Sequence, residues 1–205
     1  YPYAANGYND YFDFSTKAAQ VLLSTFITNF DLDKKEVTMN DQKFSYDIIV
    51  STISPDSILE ARYGKLNFLG RQFHKIVFPT ENVFPKNVYF LYYANDEKFT
   101  RLVEYKKFTH HKSKNSLIGM EIPTLDGGKH YPLPFKKDQM LAQKYLDDFP
   151  KGVFSIGRAG SYLYGIDIDD CIRQSMLMIE MIKQGGQDDS PVPGSEYRFP
   201  ELNKI

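Results

Sequence analysis

The stretch Gly157-Arg158-Ala159-Gly160-Ser161-Tyr162-Leu163-Tyr164 follows an apolar run and precedes a helical one. Two glycines at such a crossover let backbone amides approach a phosphate or ring oxygen, and Arg158 supplies a cation to match. A tight turn carrying a surface arginine accounts for the same residues, and the two readings stand level at this point. Just beyond, Asp167-Ile168-Asp169-Asp170 opens the last helix. Carboxylates there cap first-turn amides and oppose the positive end of the macrodipole, which explains them fully. An Asp-x-Asp metal site for a nucleotide sugar is the sharper alternative. In Phe99-Thr100-Arg101-Leu102-Val103-Glu104-Tyr105, period-two alternation puts Arg101, Val103 and Tyr105 on one face. That face is either a phosphate clamp or half of a cross-strand ion pair, the commoner arrangement. The run Lys106 to Lys114, with four Lys and His110-His111, reads as a solvated turn rather than a nucleic-acid contact.

These residues need elements to position them. The pattern predicts a helix over 10–20, then apolar segments at 21–26, 36–39 and 44–52, with Asn40-Asp41 as hairpin chemistry and 46–50 as a buried strand. Ser54-Pro55-Asp56 stops that strand and opens a helical turn through Leu59. Strands follow at 73–78, 88–93, 99–105 and 117–122, separated by Pro79, Pro85, Asn95-Asp96 and the polar run 110–115, which reads as an antiparallel meander. A helix over 137–149 leads to a strand at 153–156 ending on Gly157. The final helix begins near Asp169, carries Ile172, Met176, Ile179 and Lys183 at helical spacing, and stops at Gly185-Gly186. Residues 185–205 are expected as an extended tail.

The fold class implied is α+β: a twisted, mainly antiparallel sheet over residues 70–122, flanked by helices. With 205 residues, 42% hydrophobic and 25% charged, the chain is long enough for one domain with a real core, and its usage excludes disorder, collagen and coiled coil. Balanced charge, 25 Lys and Arg against 26 Asp and Glu, provides no global field for nucleic acid or membrane. The lone Cys171 excludes an internal disulfide and a cysteine-pair zinc site. No apolar run reaches the length of a membrane span and no signal-peptide pattern opens the chain, so a cytoplasmic protein is expected. The 15 Tyr and 16 Phe, with no Trp, call for a cleft or half-exposed sheet where rings sit between apolar and wet surroundings. The Gly-rich dinucleotide loop, the phosphate loop, the nucleophile elbow and the zinc helix are all absent from the sequence.

In order and spacing, five blocks resemble the C-terminal half of the UDP-galactopyranose mutase family, over about Tyr3 to Ile182. They are Tyr46-Asp47-Ile48-Ile49-Val50-Ser51-Thr52, Arg62-Tyr63-Gly64-Lys65-Leu66, Thr100-Arg101-Leu102-Val103-Glu104-Tyr105-Lys106-Lys107-Phe108, His130-Tyr131-Pro132-Leu133, and Gly157-Arg158 through Tyr164 and Asp167. The resemblance implies an FAD-dependent enzyme that interconverts pyranose and furanose forms of a UDP-sugar in polysaccharide precursor metabolism. It implies that Arg101 holds the diphosphate with Tyr131 and Tyr164, and that Gly157, Arg158 and Asp167 lie beside the flavin. No catalytic side chain is expected, since the flavin N5 carries that chemistry in the family.

The sequence also departs from the family's pattern. One residue is inserted between Tyr164 and Asp167, the family's Glu-His pair reads Glu104-Tyr105, and the glycine usual after the strand is lacking at Ser51-Thr52-Ile53. With no Trp, the family's uracil-stacking contact cannot come from these residues. The resemblance places the Gly-rich FAD loop in an upstream half, and the chain opens Tyr1-Pro2-Tyr3 rather than with Met. Residues 1–184 are therefore expected to be the substrate- and flavin-facing portion of a longer flavoprotein, inactive alone and without FAD as the chain stands, with homodimerisation left open and no metal. An amine-oxidase-like FAD oxidoreductase and a non-catalytic sugar-nucleotide binding module are the alternative readings.

Overall fold

The computed structural model describes residues 6–184, so the Tyr1-Pro2-Tyr3 opening and the expected tail with its Gly185-Gly186 stop lie outside the described residues. In chain order the elements are α1 (Asn9–Ser15), β1 (Ile27–Asp31), β2 (Glu36–Met39), β3 (Gln42–Ser45), β4 (Ile49–Ser51), α2 (Pro55–Ile58), β5 (Phe68–Phe78), β6 (Phe90–Tyr92), β7 (Arg101–Glu104), α3 (Lys106–Thr109), β8 (Ser116–Thr124), β9 (Tyr131–Pro132), α4 (Lys136–Asp147), β10 (Val153–Ser155), α5 (Gly157–Gly160) and α6 (Ile168–Lys183). The class is α+β, with mainly antiparallel strands. The chain divides into two compact units: Tyr1–Ser24 with Gly70–Gly127, and Thr25–Leu69 with Gly128–Ile205.

In the first unit, α1 is shorter than the predicted 10–20. The hydroxyls of Ser15 and Thr16 donate to the carbonyls of Tyr11 and Phe12 at 2.7 and 2.8 Å, drawing the last turn onto side chains where the helix ends. The strands of this unit are ordered β6-β7-β8-β5. The predicted meander therefore holds from β6 to β8, but β5 lies beside β8 rather than β6. Length explains the choice, because the long β5 and β8 match residue for residue from Gly70↔Thr124 to Phe78↔Ser116, a ladder that three-residue β6 cannot offer. β7 ends at Glu104, one residue before the predicted end, because Tyr105 already has helical backbone angles.

The second unit holds the larger core. Leu59, Leu66, Phe68, Ala142, Tyr145 and Tyr162 form one buried cluster; Phe154, Ile156 and Met178 form another beneath α6. Asn40 and Asp41, both with positive φ, join β2 and β3 in a two-residue hairpin, as their side chains predict. The buried strand expected over 46–50 is shorter and less covered: β4 pairs only with β10, in parallel, and Ile48 and Val50 stay exposed. Parallel strands are ordinarily covered on both faces, and no third strand joins this pair among the described residues. α4 and α6 fall close to their expected spans of 137–149 and from Asp169 onward. The predicted stripe Ile172, Met176 and Ile179 is exposed, however, while Gln174 and Met178 occupy the buried face.

Candidate functional site

The second unit gathers four of the predicted site residues around the Gly157 turn. β10 ends and Gly157 turns the chain with φ +76, a conformation that favours glycine. At Gly160 a Cβ would lie 3.0 Å from Ser155 Oγ and 3.1 Å from the Ser51 carbonyl, so short helix α5 sits directly on β4 and β10. This turn presents Arg158. Its Nε donates to the Ile166 carbonyl at 3.0 Å, its Nη2 donates to Asp167 Oδ1 at 2.9 Å, and the guanidinium lies 5.3 Å from the centre of the Tyr131 ring. The Tyr131 and Tyr164 rings are 5.6 Å apart. Tyr131 is held on β9 opposite Leu69, while Tyr164 is more than half exposed. The result is a half-buried cation beside Tyr131, with Tyr164 on that ring's flank, suited to a phosphoryl oxygen or an electron-rich ring edge.

Asp167 is the N-cap of α6. Its carboxylate accepts the Asp170 amide while Asp170 accepts the Asp167 amide, a reciprocal capping box. Capping therefore accounts for the aspartates, and no cluster of metal-ligating side chains occurs among the described residues. First-turn amides at Ile168 and Asp169 have no carbonyl partner within their own helix, and Ile168 is among the most exposed apolar residues.

Sequence reasoning missed three supports of this turn. Gln174, buried on α6, accepts the Gly157 amide at 2.7 Å and donates to Ser161 Oγ at 2.9 Å. Tyr162 is fully buried with φ +52, a strained conformation for a large side chain, so the chain reverses there and Tyr164 emerges at the surface. Its hydroxyl donates to the Asn67 carbonyl, and burial pushes the phenol pKa well up. Gln139 of α4 donates to the Leu133 and Tyr162 carbonyls at 3.2 and 3.1 Å. The capping carboxamide of Gln174 and the bent Tyr162 have no local sequence signal; only the two glycines mark the turn.

Arg101 belongs to the first unit. It stands directly opposite Glu121 across β7 and β8, donating through Nε and Nη2 at 2.9 and 2.7 Å, and its Nη1 reaches the Tyr92 hydroxyl at 3.3 Å. Glu121 also accepts from Arg71. The cross-strand ion pair is therefore present, and two guanidiniums around one buried carboxylate leave a formal excess of one positive charge. Burial pulls the Arg101 pKa down, but the bonds to Glu121 and Tyr92 outweigh it and the net direction is up. Arg71 was not foreseen, because its neighbour in space is 50 residues away in sequence.

The UDP-galactopyranose mutase family model matches residues 1–164. This chain belongs to that family. The match contains Arg101, Tyr131, Gly157, Arg158 and Tyr164, while Asp167 lies just past its end. A crystal structure of reduced UDP-galactopyranose mutase is similar with a TM-score of 0.65 at 16% identity, covering 84% of this chain and 50% of that one. The chain thus spans about half the length of that solved relative, whose likeness at this identity shows a common fold. A structure of a protein from Pyrococcus furiosus aligns over 81% of this chain and 48% of its own, with 14% identity and a TM-score of 0.45, too distant to carry an argument. No curated protein matches the chain.

Proposed function

We propose that this chain is the substrate- and flavin-facing portion of an FAD-dependent mutase that interconverts pyranose and furanose forms of a UDP-sugar. The observation that carries the reading is the cluster of Arg158, Tyr131, Tyr164 and Asp167, gathered around the Gly157 turn and the start of α6. Gly157, Arg158 and Asp167 would hold FAD. The fit to its electron-rich edge rests on Arg158, which retains exposed surface, and on the first-turn amides of α6, which point the positive end of a 16-residue helix outward, while Gly157, its own amide taken by Gln174, sets the turn. When bound, FAD supplies the nucleophilic chemistry at the sugar. The protein's own part is binding and charge. Tyr131 and Tyr164 donate to phosphate oxygens on the second unit. On the first, taken by itself, the surplus positive charge of the Arg71–Glu121–Arg101 group suits a diphosphate.

The rest of the FAD site would come from an α/β portion carrying the Gly-rich loop. Exposed Ile48, Val50 and Ile53 at the parallel pair, and Ile168, Ile172, Met176 and Ile179 along α6, are the kind of apolar surface such a portion covers. Alone, the 205-residue chain is expected to bind no stoichiometric FAD and to be inactive. The family reading also carries cytoplasmic location, a role in polysaccharide precursor synthesis and homodimerisation as parts of the proposal. No described helix is long and apolar enough to cross a membrane.

The test is the complete protein with reduced flavin, assayed chromatographically on UDP-sugars. Ring isomerisation with no net consumption of reductant is expected. Amine-dependent consumption of oxygen without isomerisation would overturn the reading in favour of an amine-oxidase-like enzyme.

A further inference from the structure

We propose that the first unit carries a second anion site, built from the loops around 81–89 and 105–113, which takes a multiply charged phosphoryl anion. The proposal is independent of the sugar-nucleotide reading. A cavity of about 640 Å³ lies between these loops, lined by Lys86, Lys106, Lys107, His110, His111 and Lys112. The chain as a whole is balanced in charge, yet no acidic residue occurs over 82–95 or 105–120. Glu81 is the one carboxylate on the lining. Glu104, at the end of β7, is fully buried and already accepts the Val83 and Phe84 amides at 3.0 and 2.9 Å and pairs with Lys107 at 3.2 Å.

Two of the lysines make the walls rigid. Lys107 Nζ donates to the carbonyls of Phe84, Pro85 and Val88 at 2.7, 2.6 and 2.8 Å, pinning one loop to α3. Lys106 Nζ donates to the Ser113 and Asn115 carbonyls at 2.9 and 3.1 Å and pins the other. His110, with φ +55, ends α3 and turns the chain along the cavity. Lys86 and Lys112 stand exposed on the two walls, and neither makes a salt bridge among the described residues. Fixed walls holding like charges around one concavity leave a repulsion that an anion relieves. The cavity is larger than a single phosphate needs, and cations on both walls suit a chain of phosphoryl groups.

Phosphoryl chains occur both as free polyphosphate and on nucleotides, so the probes are inorganic tripolyphosphate and a nucleoside triphosphate. They are titrated into the full chain at low ionic strength while the His110 and His111 ring signals are followed by NMR. The expected result is a saturable shift of both imidazoles, with affinity weakened roughly tenfold or more in a Lys86→Ser, Lys112→Ser double variant and unchanged in Arg101→Ala. Equal affinity for the two probes assigns recognition to the phosphoryl chain alone; tighter binding of the nucleotide adds a contact to its base, for which Tyr89 lines the cavity. The proposal is overturned if neither probe binds more tightly than chloride, if the double variant binds as well as the parent, or if Arg101→Ala alone abolishes the shifts.

Discussion

Replacing Gln174 by leucine removes a carboxamide from the buried face of α6 while roughly keeping side-chain volume. The Gly157 amide then loses its acceptor at 2.7 Å inside the protein, and Ser161 loses a donor at 2.9 Å. A buried N–H left without an acceptor costs about 1–3 kcal/mol, and the second bond contributes about 0.5–1.5 kcal/mol, so a loss of about 2–4 kcal/mol is expected. With a urea dependence on the order of 2–3 kcal/mol per molar, the unfolding midpoint should fall by about 1 M. Gln174→Glu separates hydrogen bonding from charge. The carboxyl can still accept from Gly157, and the Ser161 hydroxyl can turn to donate to it. Burial raises the pKa of this new group above its unfolded value, so the variant stays near the parent at acid pH, where the group is protonated in both states. It loses stability as pH rises through the folded-state pKa. Urea melts of the parent and both variants at acid and alkaline pH give the comparison. A leucine variant within about 0.5 kcal/mol of the parent, or a glutamate variant that gains relative stability with rising pH, would refute the clamp.

Gly160→Ala should cost about 1–3 kcal/mol, because a Cβ meets Ser155 Oγ and the Ser51 carbonyl at 3.0 and 3.1 Å; thermal unfolding measures it, and an unchanged midpoint would show that α5 is free to shift. For Glu104, burial raises the carboxyl pKa but the Phe84 and Val83 amides, Ser116 and Lys107 outweigh it, and the net direction is down. Its contribution is therefore present above the unfolded carboxylate pKa and fades as pH falls through the lower folded one; Glu104→Gln should cost about 2–4 kcal/mol near neutral pH and progressively less in acid, as followed by urea titration. Arg101→Ala in the complete protein should weaken UDP-sugar binding by about 2–3 kcal/mol in calorimetry, and intact affinity would remove Arg101 from the site. Stability should also fall, by about 1–2 kcal/mol, because the side chain is a partner of buried Glu121 rather than an arginine in an open cleft; Arg71 remains to neutralise that carboxylate and limits the loss.

Local chemistry made part of this fold legible. Asn40-Asp41 specifies its hairpin through the two residues that most readily take positive φ after glycine, and α4 and α6 form close to their expected spans. The unread features depend on residues far apart in sequence. Alternation placed Arg101 on a sheet face, but identifying Glu121 as its neighbour requires the register of β8, and Arg71 requires knowing that β5 crosses to the far edge of β8. Apolar spacing found the stripe Ile172, Met176 and Ile179 but could not say which side of α6 meets β10. The buried side is the one with Gln174 and Met178, so a polar residue marks the inward face.

That inversion bears on the Gly157 turn. Two glycines before a helix suggest amides free to approach a phosphate, yet the Gly157 amide is already given to Gln174, and Gly160 is needed for contact with β4 and β10. Their visible work is steric: they let α5 nest against the parallel strands and turn the chain into Tyr162, whose strained backbone is offset by complete burial of its ring. In the proposed site, charge recognition then falls to the side chains that this packing leaves outside, Arg158 between Tyr131 and Asp167, and Tyr164 next to Tyr131. A site whose backbone is committed inward and whose side chains face out should tolerate changes of ligand chemistry through residues such as Arg158 and Tyr164 while remaining intolerant of change at Gly157, Gly160 and Gln174, since the latter set the turn from which the former project.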